Sequence, residues 1–209
     1  EGQEENRQEM GAKRARVREE RKAVGMVRVE FTTAERKRID AEAMKRTQAQ
    51  GQAPFHDHRT GVIGEAAAMR ALGLPLAFCH ESDCGTDFLL GNVEVDVKCS
   101  NGKPERSNLI FDSFDQFSAD IAILTRIAED NAALLRVEVI GWITKDDFKL
   151  KAELVSIRDE KKPLLNRHLL RSIQELQHGL DEILITGGTF NATTGAADES
   201  ASVHPLPPS

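Results

Sequence analysis

Three side chains in the stretch Gly85–Ser100, GTDFLLGNVEVDVKCS, have types and spacing that suit joint chemistry: Asp87, Asp96 and Lys98. Gly91-Asn92 separates two apolar-rich runs and favours a tight hairpin turn. In the tightest register Leu90 lies opposite Val93, Leu89 opposite Glu94, Phe88 opposite Val95 and Asp87 opposite Asp96. Side chains alternate along a strand, so Glu94, Asp96 and Lys98 share one face and Val93, Val95, Val97 and Cys99 the other. Two carboxylates facing each other across a strand pair repel unless a cation lies between them. This hairpin accepts that repulsion and sets an ammonium group one step along the same face. A hairpin that gathers Asp87, Asp96 and Lys98 at such a cost is expected to do so for chemistry.

The elements that must position these groups are read from the pattern on either side. Residues 1–23 are polar and densely charged, read as disorder or a solvated helix, with Arg14, Arg16, Arg18, Arg21 and Lys22 as phosphate contacts if the segment is a DNA-gripping arm. Val24–Phe31 alternates as a short strand. Thr32-Thr33-Ala34-Glu35 is a capping-box pattern that opens a helix to about Thr47, and Gln48–Pro54 links it to the main domain. His56 and His58 flank Asp57 in an expected pre-helix loop. A helix over Val62–Leu72 then buries Ile63, Ala67, Ala68 and Leu72, stopped by Gly73 before Pro75. Its alanines allow close approach to a sheet, and Glu65 is expected in its first turn, where the helix dipole favours an acid.

Leu76–His80 reads as a short strand before the hairpin. After it, Asn101–Ser107 is a loop carrying Lys103 and Arg106, and Phe111, Phe114 and Phe117 recur at helix-like spacing. Ala119–Ile127 and Leu134–Ile143 are nearly continuous in apolar character, so they are expected as central strands covered on both faces. Asp146-Asp147-Phe148 begins a turn or short helix, and Leu154–Ile157 an edge strand. Leu164–Leu180 is amphipathic at helical period, with Arg167, His168, Arg171 and His178 along its polar side. Beyond Thr186 the composition is that of a disordered tail. The organisation expected is a charged extension and linker over 1–54, one domain over 55–185, and a tail over 186–209.

The chain has 209 residues and a formal net charge of -6, which counts mildly against a constitutive nucleic-acid binder. Residues 1–50 hold 13 Lys/Arg against 10 Asp/Glu, leaving 15 against 24 in the rest, a basic extension on an acidic body. Cys79, Cys84 and Cys99 form no disulfide framework, and even with His80 they fall short of zinc-site spacing. No apolar run reaches the ~20 residues that span a bilayer. The expected setting is cytoplasmic, the host cytoplasm for a viral chain, with no membrane partner.

Glu65 in GEAA, Asp87 in GTDF, and Asp96-Val97-Lys98 in VEVDVKCS, with buried strands after them, resemble the PD-(D/E)XK nuclease superfamily. The resemblance covers roughly Gly61–Trp142, and Thr86 stands where the family name has proline. It implies a restriction-endonuclease-like α/β core, a central mixed sheet flanked by helices. It further implies hydrolysis of DNA phosphodiesters, RNA not being excluded, in recombination, repair or mobile-element DNA processing. The enzyme would be an endonuclease or resemble a Holliday-junction resolvase, and a homodimer would present two sites to two strands. Mg2+ or Mn2+ would be held by Asp87, Asp96 and the Val97 carbonyl, with Glu65 on a second ion or acting through bound water. Carboxylate neighbours favour the ammonium form of Lys98, so its expected role is to position water or phosphate rather than to act as a base. Lys103, Arg106, Arg167 and Arg171 are the expected nucleic-acid contacts, and Gln116 a downstream polar residue without a fixed role. The alternatives are a catalytically silent nucleic-acid- or protein-binding module on the same fold, and a hydrolase of small phosphoesters. For the N-terminal arm a binding assay decides: deletion of residues 1–23 weakens DNA affinity and flattens its salt dependence if the segment grips phosphate, and leaves both unchanged if it does not.

Overall fold

The structure, a computed structural model, describes residues 25–50, 54–78, 85–186, 189–191 and 196–198. The chain begins with β1 (Val27–Phe31), α1 (Thr33–Gln50) and α2 (Phe55–Ala71). The hairpin β2 (Phe88–Leu90) and β3 (Val93–Ser100) comes next, then β4 (Leu109–Ile110), β5 (Ile121–Asp130) and β6 (Leu135–Thr144). The last third holds α3 (Lys145–Lys151), β7 (Glu153–Ile157), β8 (Glu160–Leu165), α4 (Ile173–Thr186), β9 (Thr189–Asn191) and β10 (Ala196–Asp198).

The main sheet is mixed, in the order β1-β6-β5-β3-β2. Only β3 and β5 run parallel, Asp96 pairing with Ala122 and Lys98 with Leu124; the other neighbours are antiparallel. On one face α1, α2 and α4 bury a core that includes Ile39, Ile63, Val95, Val97, Ile123, Val139 and Leu176. On the other, Leu124 and Ile143 pack with Leu109, Phe111, Phe117, Phe148 and Leu165. A second sheet, β4-β8-β7, lies alongside this aromatic cluster. The two apolar strands expected to be central are β5 and β6, covered on both faces. No helix among the described residues is long and apolar enough to cross a membrane.

The hairpin has the expected register: Leu90 opposite Val93, Leu89 opposite Glu94 and Phe88 opposite Val95. Gly91 takes φ 62° while Asn92 stays negative, the pattern of a type II′ turn whose first position only glycine fills easily. The capping box also forms, with the Thr32 amide donating to Glu35 Oε2 at 2.8 Å and the Glu35 amide to Thr32 Oγ1 at 3.3 Å.

Several expectations are corrected. Residues 25–50 do not form a separate extension: β1 pairs along β6, and Val29, Phe31, Ile39 and Ala43 enter the main core. Helix α2 starts at Phe55, behind Pro54, because neither Thr60 nor Gly61 interrupts it. His56 and His58 are therefore helical, and Glu65 sits mid-helix and buried rather than in the dipole-favoured first turn, which holds Asp57. Leu76–Phe78 is irregular rather than a strand, and the rest of that stretch lies outside the described residues. The helix expected from Leu164 begins only at Ile173, since Leu164 and Leu165 pair in β8 with β4 and Arg167–Leu169 is a 3-10 turn. Within the tail expected to be disordered, Thr189–Asn191 and Ala196–Asp198 pair antiparallel, as β-favouring Thr189 and Phe190 allow. The rest of the tail, the arm 1–23, Cys79, Cys84 and His80 lie outside the described residues.

Helix α2 lies against β3 and β5 at Gly64. A Cβ built there would fall 2.6 Å from Cys99 Cβ and 2.7 Å from Thr125 Oγ1. Gly64→Ala should therefore push helix from sheet and lower stability by about 1–3 kcal/mol, read as a fall in the urea midpoint. An unchanged midpoint would show that the interface yields without strain.

Candidate active site

The hairpin brings its acids together in a different way from the flat ladder expected of it. Cα pairing stops at Phe88, and Asp87 turns over the end of the strand pair. The Asp87 amide donates to the Val95 carbonyl at 2.8 Å, and the Val97 amide donates to Asp87 Oδ2 at 2.6 Å. Backbone amide and side chain thus lock one carboxylate beside the strand that carries the other. Asp96 is 3 % exposed on β3, and its Oδ1 accepts from Lys98 Nζ at 2.8 Å. Its Oδ2 is buried with no hydrogen-bond partner. An orphaned carboxylate oxygen inside a protein is costly, on the order of 1–3 kcal/mol or more.

Burial pushes both carboxyls up to about 6. At Asp87 the Glu65 charge adds to this effect, opposed by the Val97 amide and by Lys98 and Arg46. At Asp96 the Lys98 ammonium opposes it and the Asp87 charge adds to it. Lys98 itself points outward, its side chain 38 % exposed, with Nζ 5.0 Å from the centre of the Phe111 ring. An aromatic face below and a carboxylate beside hold the ammonium group in place while leaving it in reach of solvent.

Glu65 approaches from α2 and is 2 % exposed. Arg46 of α1 takes both of its oxygens, Nη1 on Oε1 at 2.6 Å and Nη2 on Oε2 at 2.7 Å, while Arg46 Nε donates to Glu42 Oε1 at 3.3 Å. Arg46 is the site residue that sequence reasoning missed. The signal was available: Ile39, Glu42, Ala43 and Arg46 fit the i, i+3, i+4, i+7 stripe of an inward helix face, so two charged residues on it needed partners inside.

Asp87 interacts electrostatically with Glu65, Asp96 and Lys98, and Val97 lies between the two β3 groups. The proposed nucleic-acid contacts divide. Lys103 and Arg106 are exposed on the loop after β3. Arg167 Nη1 donates to the Pro104 carbonyl at 2.7 Å, so it fastens that loop. Arg171 pairs with Asp147 at 2.7 Å and lies 4.9 Å from the Trp142 ring centre, a structural engagement. Gln116 closes a local turn on Asp112 at 2.7 Å, and Glu94 is exposed on the hairpin. His56 Nε2 lies 3.3 Å from Asn101 Nδ2, outside the acid group. Cys99 faces Gly64, its thiol pushed up to about 11 by burial.

The donors suit a divalent cation in chemistry: hard carboxylate oxygens, one of them orphaned, in buried surroundings that disfavour their charge. Among the described residues no three His, Cys, Asp or Glu side chains close into a preformed cation cage. No protein-family model matches the chain, and no curated protein aligns with it significantly.

The two raised carboxyls make a prediction for the cation-free protein. Their folded pKa of about 6 lies above the ordinary 3.8, so the folded state keeps a proton that the unfolded state has lost. Each acid's contribution is then full below about pH 4 and declines as pH rises to about 6, by about 1–3 kcal/mol. In EDTA, Asp96→Asn should be more stable than the parent at pH 7, and the gap between them should shrink between pH 6 and 4. Denaturant melts across that window measure both; a variant less stable than the parent at pH 7 would refute the burial argument.

Proposed function

We propose that this protein is a divalent-metal-dependent nuclease with a restriction-endonuclease-like core, hydrolysing phosphodiester bonds in DNA. The observation that carries the reading is the Asp96 carboxylate, buried, orphaned at one oxygen and bonded to Lys98 at the other. A fold selected for stability alone gains nothing from leaving that oxygen unpaired beside a second acid. The order of elements supports the same reading: a helix with Glu65, a hairpin with Asp87 and Asp96-x-Lys98, then buried strands.

Asp87, Asp96 and the Val97 carbonyl would hold Mg2+ or Mn2+, which lowers the pKa of bound water and neutralises phosphate charge. The chain's own groups do the rest. The Val97 amide fixes Asp87 in orientation. Lys98, seated on Asp96 and Phe111, orients the attacking water or a non-bridging phosphate oxygen with a fixed positive charge. Exposed Lys103 and Arg106 lie on the loop that continues from β3, where they meet backbone phosphates. Action at branched or end structures by a homodimer, in a recombination or repair role, is the form the resemblance favours.

The alternative, a silent binding module, draws support from the lack of a preformed three-ligand cage among the described residues. Cleavage decides between them. Single-stranded, linear, branched and supercoiled DNA are incubated with Mg2+ or Mn2+. At least one should be cut, EDTA should abolish cutting, and Asp96→Ala and Lys98→Ala should each slow it by about 10²–10³-fold. Cleavage by Asp96→Ala at the parental rate would end the nuclease reading, and binding without cleavage would favour the silent module.

A further inference from the structure

We infer that Arg46 is a built-in positive charge standing in place of a second metal ion, so that the site takes one divalent cation and Glu65 serves Arg46 rather than a metal. This rests on the nuclease reading above and narrows it. All three guanidinium nitrogens of Arg46 are engaged, two on Glu65 and one on Glu42, in the fork geometry that guanidinium and carboxylate share. The pair is well shielded, with side chains 14 % and 3 % exposed. A metal ion on Glu65 would have to share its oxygens with a guanidinium group at hydrogen-bond distance and be repelled by it. Displacing Arg46 instead would break both of its hydrogen bonds to Glu65, which are shielded from water.

The charge balance agrees. Asp87 interacts with Glu65, Asp96, Arg46 and Lys98, while Glu65 pairs with Arg46 and Asp96 with Lys98. With Glu42 and its second partner Lys45 counted, four carboxylates against three cationic heads leave one negative charge unmatched. One divalent ion turns this into a single excess positive charge, the complement of a phosphodiester. A second ion would overshoot. Arg46 cannot leave with product, and it sits on a helix packed into the main core, so its charge is fixed in position.

The inference is tested by titrating Mn2+ alone into the full chain, monitored by calorimetry and by the loss of the free-ion electron paramagnetic resonance signal. The background is the binding left in Asp96→Asn. Above it, the parent should bind one equivalent, and Glu65→Gln should keep that one equivalent, at weaker affinity because a negative charge beside Asp87 is lost. Arg46→Met should gain a second, weaker equivalent that Arg46→Met/Glu65→Gln lacks. If Arg46→Met fails to fold by circular dichroism, the parent and Glu65→Gln still decide. Two parental equivalents, one of them lost in Glu65→Gln, would overturn the inference and leave the nuclease reading standing. So would complete loss of the single equivalent in Glu65→Gln. Identical binding by the parent and Asp96→Asn would remove both readings.

Discussion

The constraint on which the molecule depends is the parallel pairing of β3 with β5. Antiparallel neighbours can be joined by two residues, as β2 and β3 are, but parallel ones require the chain to travel back over the sheet. Residues 101–120 make that journey, and here it is not one long helix. It consists of a 3-10 turn, the two-residue strand β4 and a run of bends. Its phenylalanines offset the lack of regular structure by packing together: Phe111 stacks on Phe117 at 4.7 Å between centroids, and both meet Phe148 edge-on. The outcome for chemistry is that Phe111 ends beneath the Lys98 ammonium group.

The opposite face has its own organising contact. Helix α2 approaches at Gly64, with Glu65 next in sequence carried toward Asp87, and α1 supplies Arg46 to receive it. Sheet polarity places one half of the site and helix proximity the other. Neither half alone gathers the charged groups. Asp96 lies between them, its needs met on one oxygen only.

Much of this was legible in the sequence because the relevant signals were local. Gly91-Asn92 fixed the turn, Thr32 and Glu35 the helix start, and the unbroken apolar runs of β5 and β6 their central position. The misplaced features were those settled at a distance. Periodicity could not tell that Leu164 and Leu165 belong to a strand, because their partners, Leu109 and Ile110, lie some fifty residues earlier. Val29 and Phe31 looked peripheral until β6 paired with them. The Glu65 position was misjudged because Thr60 and Gly61 resemble a helix start, whereas Pro54 supplies the start in the fold. Strand alternation alone places Asp87 in the ladder, whereas in the fold its side chain accepts the Val97 amide, a contact that a pairing pattern does not reveal.

The Gly91-Asn92 turn has a consequence for how this sequence can change over generations. Side chains on β3 alternate between a packed apolar layer and the charged layer, so the turn acts as a phase marker for both. One residue inserted or deleted there, with the strand pairing restored around it, would send Asp96 and Lys98 toward Ile63 and Ala67 and turn Val95 and Val97 outward. Descendants of this chain should vary freely in the identity of exposed Leu89 or Glu94 while keeping the spacing across the turn. Within that segment the constraint falls on its length and on Gly91, not on the exposed side chains beside the turn.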